Sequence, residues 1–349
     1  AHQYDTTFDW SSSYGDGSPV GTDYGYFGGG NAPNGIRSII ERLDFSSDTP
    51  AMSQRSYIVS SNAQGMDRLA AVSSQSYAYF GGGEGGPGGG YRSDVSRLDY
   101  ASDSTTCVLK GYLSVGRRQL SATGNTAYGY FGGGDSPSAP ATYSTVDRVT
   151  YTNDTATATP KGPLTAAKYQ VGSTGTTSYG YWVGGGAPSA VSIIDRVDYS
   201  NDTATASPKG NLTNARYGTA GTGNASYGWF GGGWPVWMSL VDRIDYSNDT
   251  ATASARGNLN NATQLIGATG NTSYGYFAGG TAEPGRLSSV DRVDYSSDSP
   301  TATAKGPLSQ ARYGVAGASS RQYGFPTTAV NTELYTCALS PVNDGSWHH

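Results

Sequence analysis

The chain has 349 residues, including 51 glycines and 27 tyrosines, and only 14% of its residues are charged. Its formal net charge of -5 argues against binding to duplex nucleic acid, which requires a basic surface. It shows no sustained apolar periodicity of 3.6 residues and no run of 18 apolar residues. We therefore predict an all-β protein without helical membrane insertion.

The elements, taken in chain order, belong to a repeat of about 50 residues. The motif YGYFGGG begins at Tyr24. Related copies begin at Tyr77, Tyr128, Tyr179, Tyr227 and Tyr274, and a decayed copy begins at Tyr323. Each unit holds four short runs rich in Tyr, Val, Thr and Phe between clusters of turn residues, which predicts four strands. We name them a (as in ARYGTAG), b (SYGWFGG), c (SLVDRIDY) and d (TATASPKG).

Four-stranded sheets repeated at this interval are typical of a β-propeller of the kelch kind. The chain resembles that family in the glycine run that closes strand b and in a strand c that ends in Asp-Tyr. It also resembles it in the basic residue that opens the next unit, such as Arg216 or Arg312. The resemblance covers nearly the whole chain, but the tryptophan that kelch repeats carry after strand c is missing.

We predict one domain over residues 1–349, a seven-bladed propeller of four-stranded antiparallel blades. Its last blade would join three C-terminal strands to one N-terminal strand, because such closure removes open sheet edges. These strands are expected from Arg312 to Phe325, from Glu333 and from Tyr4. The expected blade bounds are 11–60, 61–112, 113–163, 164–211, 212–259, 260–307, and 308–349 combined with 1–10.

Several repeated residues are expected to serve the scaffold. Tyr227, Trp229, Phe230 and the following glycines are predicted to pack between blades. Adjacent strand residues point to opposite faces, so Asp-Arg pairs of strand c predict ion pairs that reach into adjacent blades. The SNDT segments contain possible calcium ligands, but their spacing fits no EF-hand loop and favours hairpin turns. Cys107 and Cys337 are predicted to be unpaired.

The residues give little support to enzymatic chemistry. All three histidines, His2, His348 and His349, lie at the termini. A histidine base, a Ser-His triad or a histidine metal site in the body of the chain is thereby excluded. Copper oxidases built on kelch propellers need such histidine ligands. We therefore predict no catalytic residue, no metal site and no cofactor.

The b–c connections differ in length and sequence in every unit, whereas the a–b and c–d turns have nearly the same sequence in each unit. Loops that differ on a repeated scaffold are typical of a recognition surface. A local plug formed by WPVWM, or sequence drift, is the alternative. The same face is expected to carry a partial basic ring that favours an anionic partner, unless these residues are solvated turns: Lys110, Lys161, Lys209, Lys305 and Arg256. The candidate partner-binding residues are Trp234, Trp237, Met238, Arg37, Tyr91, Arg92, Tyr143 and Arg286.

The sequence of the repeat, DRVDYSNDTATASPKGPL followed by YGYFGGG, also resembles repeats of virion structural proteins of marine bacteriophages. That resemblance implies a tail, fibre or capsid-surface component at the virion surface or outside the cell. Three functions stay open. The chain could bind a host-surface glycan or protein without catalysis. It could be an assembly subunit that contacts neighbouring virion subunits or its own copies, or a polysaccharide-degrading enzyme that uses Asp or Glu.

Overall fold

A computed structural model describes residues 24–61, 65–86, 90–137 and 141–319. They form six four-stranded antiparallel sheets, or blades, around a central channel. The innermost strand a of each blade lies beside strand a of both neighbours, and the circle closes from blade 6 through blade 1 to blade 2. The all-β propeller is confirmed, but the prediction of seven blades is wrong. Over these described residues, no helix is both long and apolar enough to cross a membrane.

Within each blade the strands lie side by side in the order a, b, c and d. Blades 1 to 3 consist of Ala316–Ala318, Tyr24–Gly28, Ile39–Asp44, Ser53–Tyr57; Ala70–Ser73, Tyr77–Gly81, Asp94–Asp99, Val108–Tyr112; and Ser121–Gly124, Tyr128–Gly132, Val146–Thr150, Thr159–Pro160. Blades 4 to 6 consist of Gly172–Gly175, Tyr179–Val183, Ile193–Asp198, Ser207–Asn211; Ala220–Gly223, Tyr227–Gly231, Leu240–Asp245, Ser254–Asn258; and Gly267–Gly270, Tyr274–Ala278, Val290–Asp294, Thr303–Lys305.

Short elements occupy some connections. Two-residue strand pairs are formed by Asn31–Ala32 with Gly35–Ile36, Met66–Asp67 with Glu84–Gly85, and Thr281–Ala282 with Gly285–Arg286. Single 3-10 turns follow strand c at Tyr100–Ser102, Tyr151–Asn153, Tyr199–Asn201 and Tyr246–Asn248.

The blade that closes the ring takes its strands from the two ends of the chain in the opposite proportion to the predicted one. The C-terminal strand Ala316–Ala318 pairs antiparallel with Tyr24–Gly28, with Ala318 opposite Tyr26. Blade 1 therefore combines one C-terminal strand with three N-terminal strands. The seven-blade prediction counts the copy at Tyr323 as another strand b, whereas the preceding strand a already completes blade 1. Tyr323 and the expected strands from Tyr4 and Glu333 lie outside the described residues, as does Cys337.

Close packing between blades explains the glycine runs. A Cβ atom on Gly231 would lie 2.9 Å from a ring carbon of Phe277 in blade 6, so no side chain fits there. Gly232 and Gly233 have φ values of 70° and 133°, which glycine adopts readily. Trp229 is fully buried between blades. The scaffold interpretation of this motif is confirmed.

Aromatic rings stack across every blade boundary. A ring from strand b of one blade lies on the ring that ends strand c of the next, with centroids 3.9 to 5.3 Å apart. The six pairs are Tyr26–Tyr100, Tyr79–Tyr151, Tyr130–Tyr199, Tyr181–Tyr246, Trp229–Tyr295 and Tyr276–Phe45. Offset stacking of this kind adds about 1 kcal/mol to area burial.

The strand c arginine also crosses each boundary. Arg196 lies 2.8 Å from the carboxylate of Asp249 in the next blade, and the Tyr181 hydroxyl donates to the same carboxylate. The equivalent ion pairs are Arg42–Asp103, Arg97–Asp154, Arg148–Asp202, Arg243–Asp298 and Arg292–Asp48. The prediction of a ring of inter-blade ion pairs is confirmed for arginine. It is wrong for the strand c acid, because Asp242 pairs with Arg216, which opens its own blade.

The expected basic ring does not exist as a free surface, so that prediction is wrong. Lys305 lies 2.9 Å from the buried turn residue Asp48, and the equivalent cations occupy the same scaffold position with side chains 13 to 24% exposed. The pairs are Lys110–Asp154, Lys161–Asp202, Lys209–Asp249, Arg256–Asp298 and Lys305–Asp48. The turn interpretation of SNDT is confirmed, because these segments form 3-10 or other tight turns between strands c and d. No group of three or more His, Cys, Asp or Glu that could hold a metal ion occurs among the described residues.

Candidate functional site at the channel mouth

Chemical variety is concentrated on the b–c face, where the channel opens. There the residue that follows the glycine run of strand b forms a backbone β-bridge with the second residue of the short segment that opens each unit before strand a, for example Tyr217 in Arg216-Tyr217. The six mouth pairs, in blade order, are Asn31–Tyr313, Glu84–Asp67, Asp135–Arg118, Gly186–Tyr169, Trp234–Tyr217 and Thr281–Gln264. The backbone arrangement is the same in each blade, whereas the side chains differ.

A closed circle of backbone hydrogen bonds surrounds the channel inside these pairs. Each member donates its N–H to the carbonyl of the equivalent residue in the preceding blade, at 2.7 to 2.9 Å. The members of this mouth ring are Arg68, Gln119, Gln170, Gly218, Leu265 and Gly314. All have φ between 52° and 73°, a conformation that costs non-glycine residues on the order of 1 kcal/mol each.

Blades 1 to 3 form the charged half of the mouth. Glu84 accepts hydrogen bonds from both Arg68 and Arg118. The Arg118 guanidinium lies 4.7 Å from the centroid of the Tyr91 ring, which is a cation–π contact. Two guanidinium groups, those of Arg68 and Arg286, lie over the ring of Tyr313 at 5.5 and 5.2 Å.

Asp67 is a fully buried carboxylate at this half. Its Oδ2 lies 3.5 Å from Nε of Arg68, and the Asn31 side chain is close enough to lower its pKa, although within the described part of the chain neither oxygen has a donor at good hydrogen-bonding geometry. Burial raises the pKa of Asp67 to about 6, against the opposing charge of Arg68. Such a perturbed group beside a channel opening is a feature of functional sites.

Blades 4 and 5 form the aromatic half. The Tyr169 and Tyr217 rings lie 6.0 Å apart at 44°. Two backbone hydrogen bonds of 2.9 Å join Tyr217 to Trp234, whose ring meets that of Trp237 edge to face at 4.9 Å. These four side chains are half-buried, and Val236 at the loop tip is 67% exposed.

A cavity of about 90 Å³ extends from the mouth ring into the channel. Its lining includes Gln119 and Gln170, and Oε1 of Gln170 is buried without a donor among the described residues. Of the six cavity-lining residues that directly follow the mouth-ring residues, five are apolar, namely Leu69, Leu120, Val171, Ile266 and Val315, and the sixth is Thr219.

The predicted site residues are spread over the b–c face. Trp234, Trp237 and Met238 share one loop, Tyr91 contacts Arg118 in the charged half, and exposed Arg286 donates to Asn31 at 3.0 Å.

The other three predicted residues have positions closer to the scaffold. Arg92 forms a 2.9 Å ion pair with Asp94. Arg37 is half-buried near Arg312, and the Tyr143 backbone bonds to Gly134 and Lys168. Their role in binding stays a prediction.

Sequence reasoning overlooked the inner part of the mouth, including Asp67, Arg68 and Arg118. The available signal was in the two residues after the opening position of each unit. They read Asp-Arg, Arg-Gln, Tyr-Gln, Tyr-Gly, Gln-Leu and Tyr-Gly, within an otherwise repetitive motif. This variation accompanies that of the b–c connections on the same face.

The comparisons with known proteins show the architecture alone. No protein-family model and no curated protein matches the chain. Among solved structures, the chain is similar to one described as "Structure of YjhT", with a TM-score of 0.60 and 12% sequence identity. The match covers 72% of this chain and 87% of that chain. This likeness shows the β-propeller fold and nothing of the activity.

Proposed function

We propose that the chain is a non-enzymatic recognition propeller that binds a host-surface glycan or protein through its b–c face. The supporting observation is the contrast between the scaffold and the channel mouth. Stacked rings and ion pairs repeat at the blade boundaries, while the mouth pairs change from blade to blade. A scaffold needs repetition, whereas selective binding needs distinct groups at distinct positions.

The composition of the mouth fits a saccharide ligand. Tyr169, Tyr217 and Trp234 offer aromatic surfaces on which the apolar face of a sugar can stack. Arg118 and Glu84 offer hydrogen-bond donors and acceptors for its hydroxyl groups. The kelch-like repeat and its resemblance to phage virion proteins support an extracellular or virion-surface location, where such a glycan would be met.

The test compares two pairs of aromatic substitutions. Trp234→Ala with Trp237→Ala is expected to reduce attachment of labelled protein to susceptible marine bacterial cells at least tenfold. Tyr57→Ala with Tyr112→Ala is the control, because these side chains are 45% and 39% exposed on outer strands of blades 1 and 2. Both variants should melt near the wild-type temperature. Full attachment by the tryptophan variant, or its unfolding, would contradict the proposal.

A second candidate is an assembly subunit whose b–c loops contact neighbouring virion proteins or copies of the chain. The partly exposed apolar loop from Trp234 to Met238 favours it, because contiguous apolar patches mark protein interfaces. Concentration-dependent association in sedimentation, abolished by the tryptophan substitutions, would support this candidate. Release of reducing sugar that is lost in Glu84→Gln would contradict both proposals.

A further inference from the structure

We propose that the mouth ring and the cavity beneath it bind one uncharged sugar residue of a glycan, with Gln119 and Gln170 as its hydrogen-bonding groups. This inference rests on the proposed function and adds the position and the chemical class of the ligand. The ring of this sugar would lie over the channel mouth, beside Tyr169 and Tyr217.

The first argument is the presence of side chains where the backbone favours none. Gly218 and Gly314 show that glycine completes the mouth ring without strain. Gln119 and Gln170 occupy equivalent positions at φ values of 58° and 54°. Strained residues of this kind persist where the surrounding structure holds them in place, and they are concentrated at ligand-binding sites. Both residues line the cavity, so the task we assign to their amides is hydrogen bonding there.

The second argument is the state of the polar groups around the ring. The side chain of Arg68 is engaged by Glu84 and Tyr313, and Leu265 has no polar atom to offer. In contrast, Oε1 of Gln170 is buried without a donor among the described residues. A buried acceptor that lacks a partner costs about 1–3 kcal/mol, and a sugar hydroxyl would relieve that cost once the half-buried Gln170 side chain turns toward the cavity.

The third argument is the size and lining of the cavity. About 90 Å³ accommodates a few water molecules or one small substituent. The combination of an amide with apolar Leu120 and Val171 suits a hydroxymethyl group, whose oxygen can bond to Gln170 while its carbon meets the apolar wall. The sugar ring itself would remain above the mouth, beside Tyr169 and Tyr217.

The fourth argument is charge. Two of the three arginines at the mouth, Arg68 and Arg118, lie among three carboxylic acids, those of Asp67, Glu84 and Asp135, whereas Arg286 donates to Asn31 and lies over the Tyr313 ring. Ion pairs link members of these two groups to one another. An acidic sugar would have to compete with these carboxylates for the guanidinium groups of Arg68 and Arg118. Arg286 in blade 6 lies across the ring from Gln119 in blade 3. An uncharged sugar needs only hydrogen bonds and stacking, so the site favours it.

The experiment uses the full chain and a set of immobilised probes. Neutral hexose and N-acetylhexosamine oligosaccharides are compared with uronate-containing and sulfated ones, and the strongest neutral probe is titrated calorimetrically. Gln119→Gly with Gln170→Gly should weaken binding of that probe roughly tenfold, which corresponds to two neutral hydrogen bonds. The variant with Tyr57→Ala and Tyr112→Ala is the control, because both side chains lie on outer strands of blades 1 and 2, away from the mouth ring. Its affinity should stay within twofold of wild type.

The readouts separate this inference from the proposed function. The variant with Gln119→Gly and Gln170→Gly should melt at or above the wild-type temperature, since glycine accepts the left-handed conformation. If the double variant fails to fold, the variant with Gln119→Leu and Gln170→Leu replaces it, because Leu265 shows that leucine is accommodated at an equivalent position of the mouth ring. It is expected to weaken binding equally. Binding to the neutral probe should change less than twofold between 50 and 500 mM NaCl.

Three results would overturn the subsite. The first is binding confined to acidic probes and lost at high salt. The second is full neutral-probe affinity in the double variant while Trp234→Ala with Trp237→Ala abolishes it, which leaves the proposed function standing. The third is attachment to cells through a protein receptor with no glycan bound. If no substitution on the b–c face affects attachment, the proposed function itself fails.

Discussion

Tyr276 in blade 6 donates its hydroxyl to Asp48 in blade 1 at 2.9 Å, although 228 residues separate them in the sequence. Arg292 and Lys305 lie 2.7 and 2.9 Å from the same carboxylate. Three strands of the last blade thus meet one turn of the first. The closure of the ring uses the same contacts as its interior boundaries, for example the Asp249 site between blades 4 and 5.

Removal of the Asp48 charge should destabilise the propeller. We expect Asp48→Asn to lower the free energy of unfolding by about 3 kcal/mol, because two cations lose their counter-charge at a nearly buried position and one acceptor oxygen becomes an amide NH2 group. Urea unfolding measures the change. Asp294→Asn is the control, because Asp294 bonds only locally to Ser296 in a more exposed setting, and it should cost less than about 1 kcal/mol. Equal losses in the two variants would contradict the importance of the boundary carboxylate.

Low pH should destabilise the same boundaries between blades. Burial alone would raise the pKa of Asp48, but hydrogen bonds from Lys305 and Tyr276 and the charge of Arg292 lower it below its ordinary value. A carboxyl with a lowered folded-state pKa stabilises the fold above its unfolded pKa of about 4 and loses that effect as the pH falls further. The wild-type urea midpoint should therefore drop below about pH 4. The difference between wild type and Asp48→Asn should shrink over the same range, and a difference that grows there would contradict the assignment.

The Lys-Gly segment of strand d should tolerate no side chain at its glycine. A Cβ atom on Gly162 would lie 1.7 Å from the carbonyl oxygen of Ala204 in the next blade. We expect Gly162→Ala to destabilise the fold by about 3 kcal/mol, because the blades must separate locally. Gly285→Ala provides the control, because a Cβ atom on Gly285 would have no neighbouring atom within 4 Å. Thermal melting should show a clear decrease for the first variant and almost none for the second.

The architecture was predictable because the same residue types recur at the same blade positions. Tyr181 and Asp249, for example, belong to motifs that reappear in every unit, so the repeat alone indicates blades that pack on one another. The number of blades depends on the ends of the chain, where the repeat decays and pattern counting fails. The mouth was less predictable still. Arg68 donates to Tyr313, 245 residues away, and only ring closure brings such residues together.

Truncation distinguishes the observed closure from the predicted one. A chain that ends after Ser319 keeps the strand a that completes blade 1, so we expect it to melt cooperatively close to the full-length temperature. A chain that ends before Arg312 loses that strand and the buried Arg312–Glu41 ion pair. It should unfold at a much lower temperature and aggregate through the exposed edge of Tyr24–Gly28. Equal destabilisation by both truncations would argue for a seventh blade.

The buried carboxyl at the mouth should oppose stability at neutral pH. Burial raises the pKa of Asp67 to about 6, above the ordinary value of about 4, so the folded state holds this proton more tightly than the unfolded state. The contribution of Asp67 to the free energy of unfolding should therefore fall as the pH rises from about 4 to about 6. Asp67→Asn removes this effect and should be more stable than wild type at pH 7, by up to roughly 3 kcal/mol. Below about pH 4 the two proteins should be nearly equal. Urea unfolding of both proteins across this range measures the difference, and a stability difference independent of pH would contradict a raised pKa at Asp67.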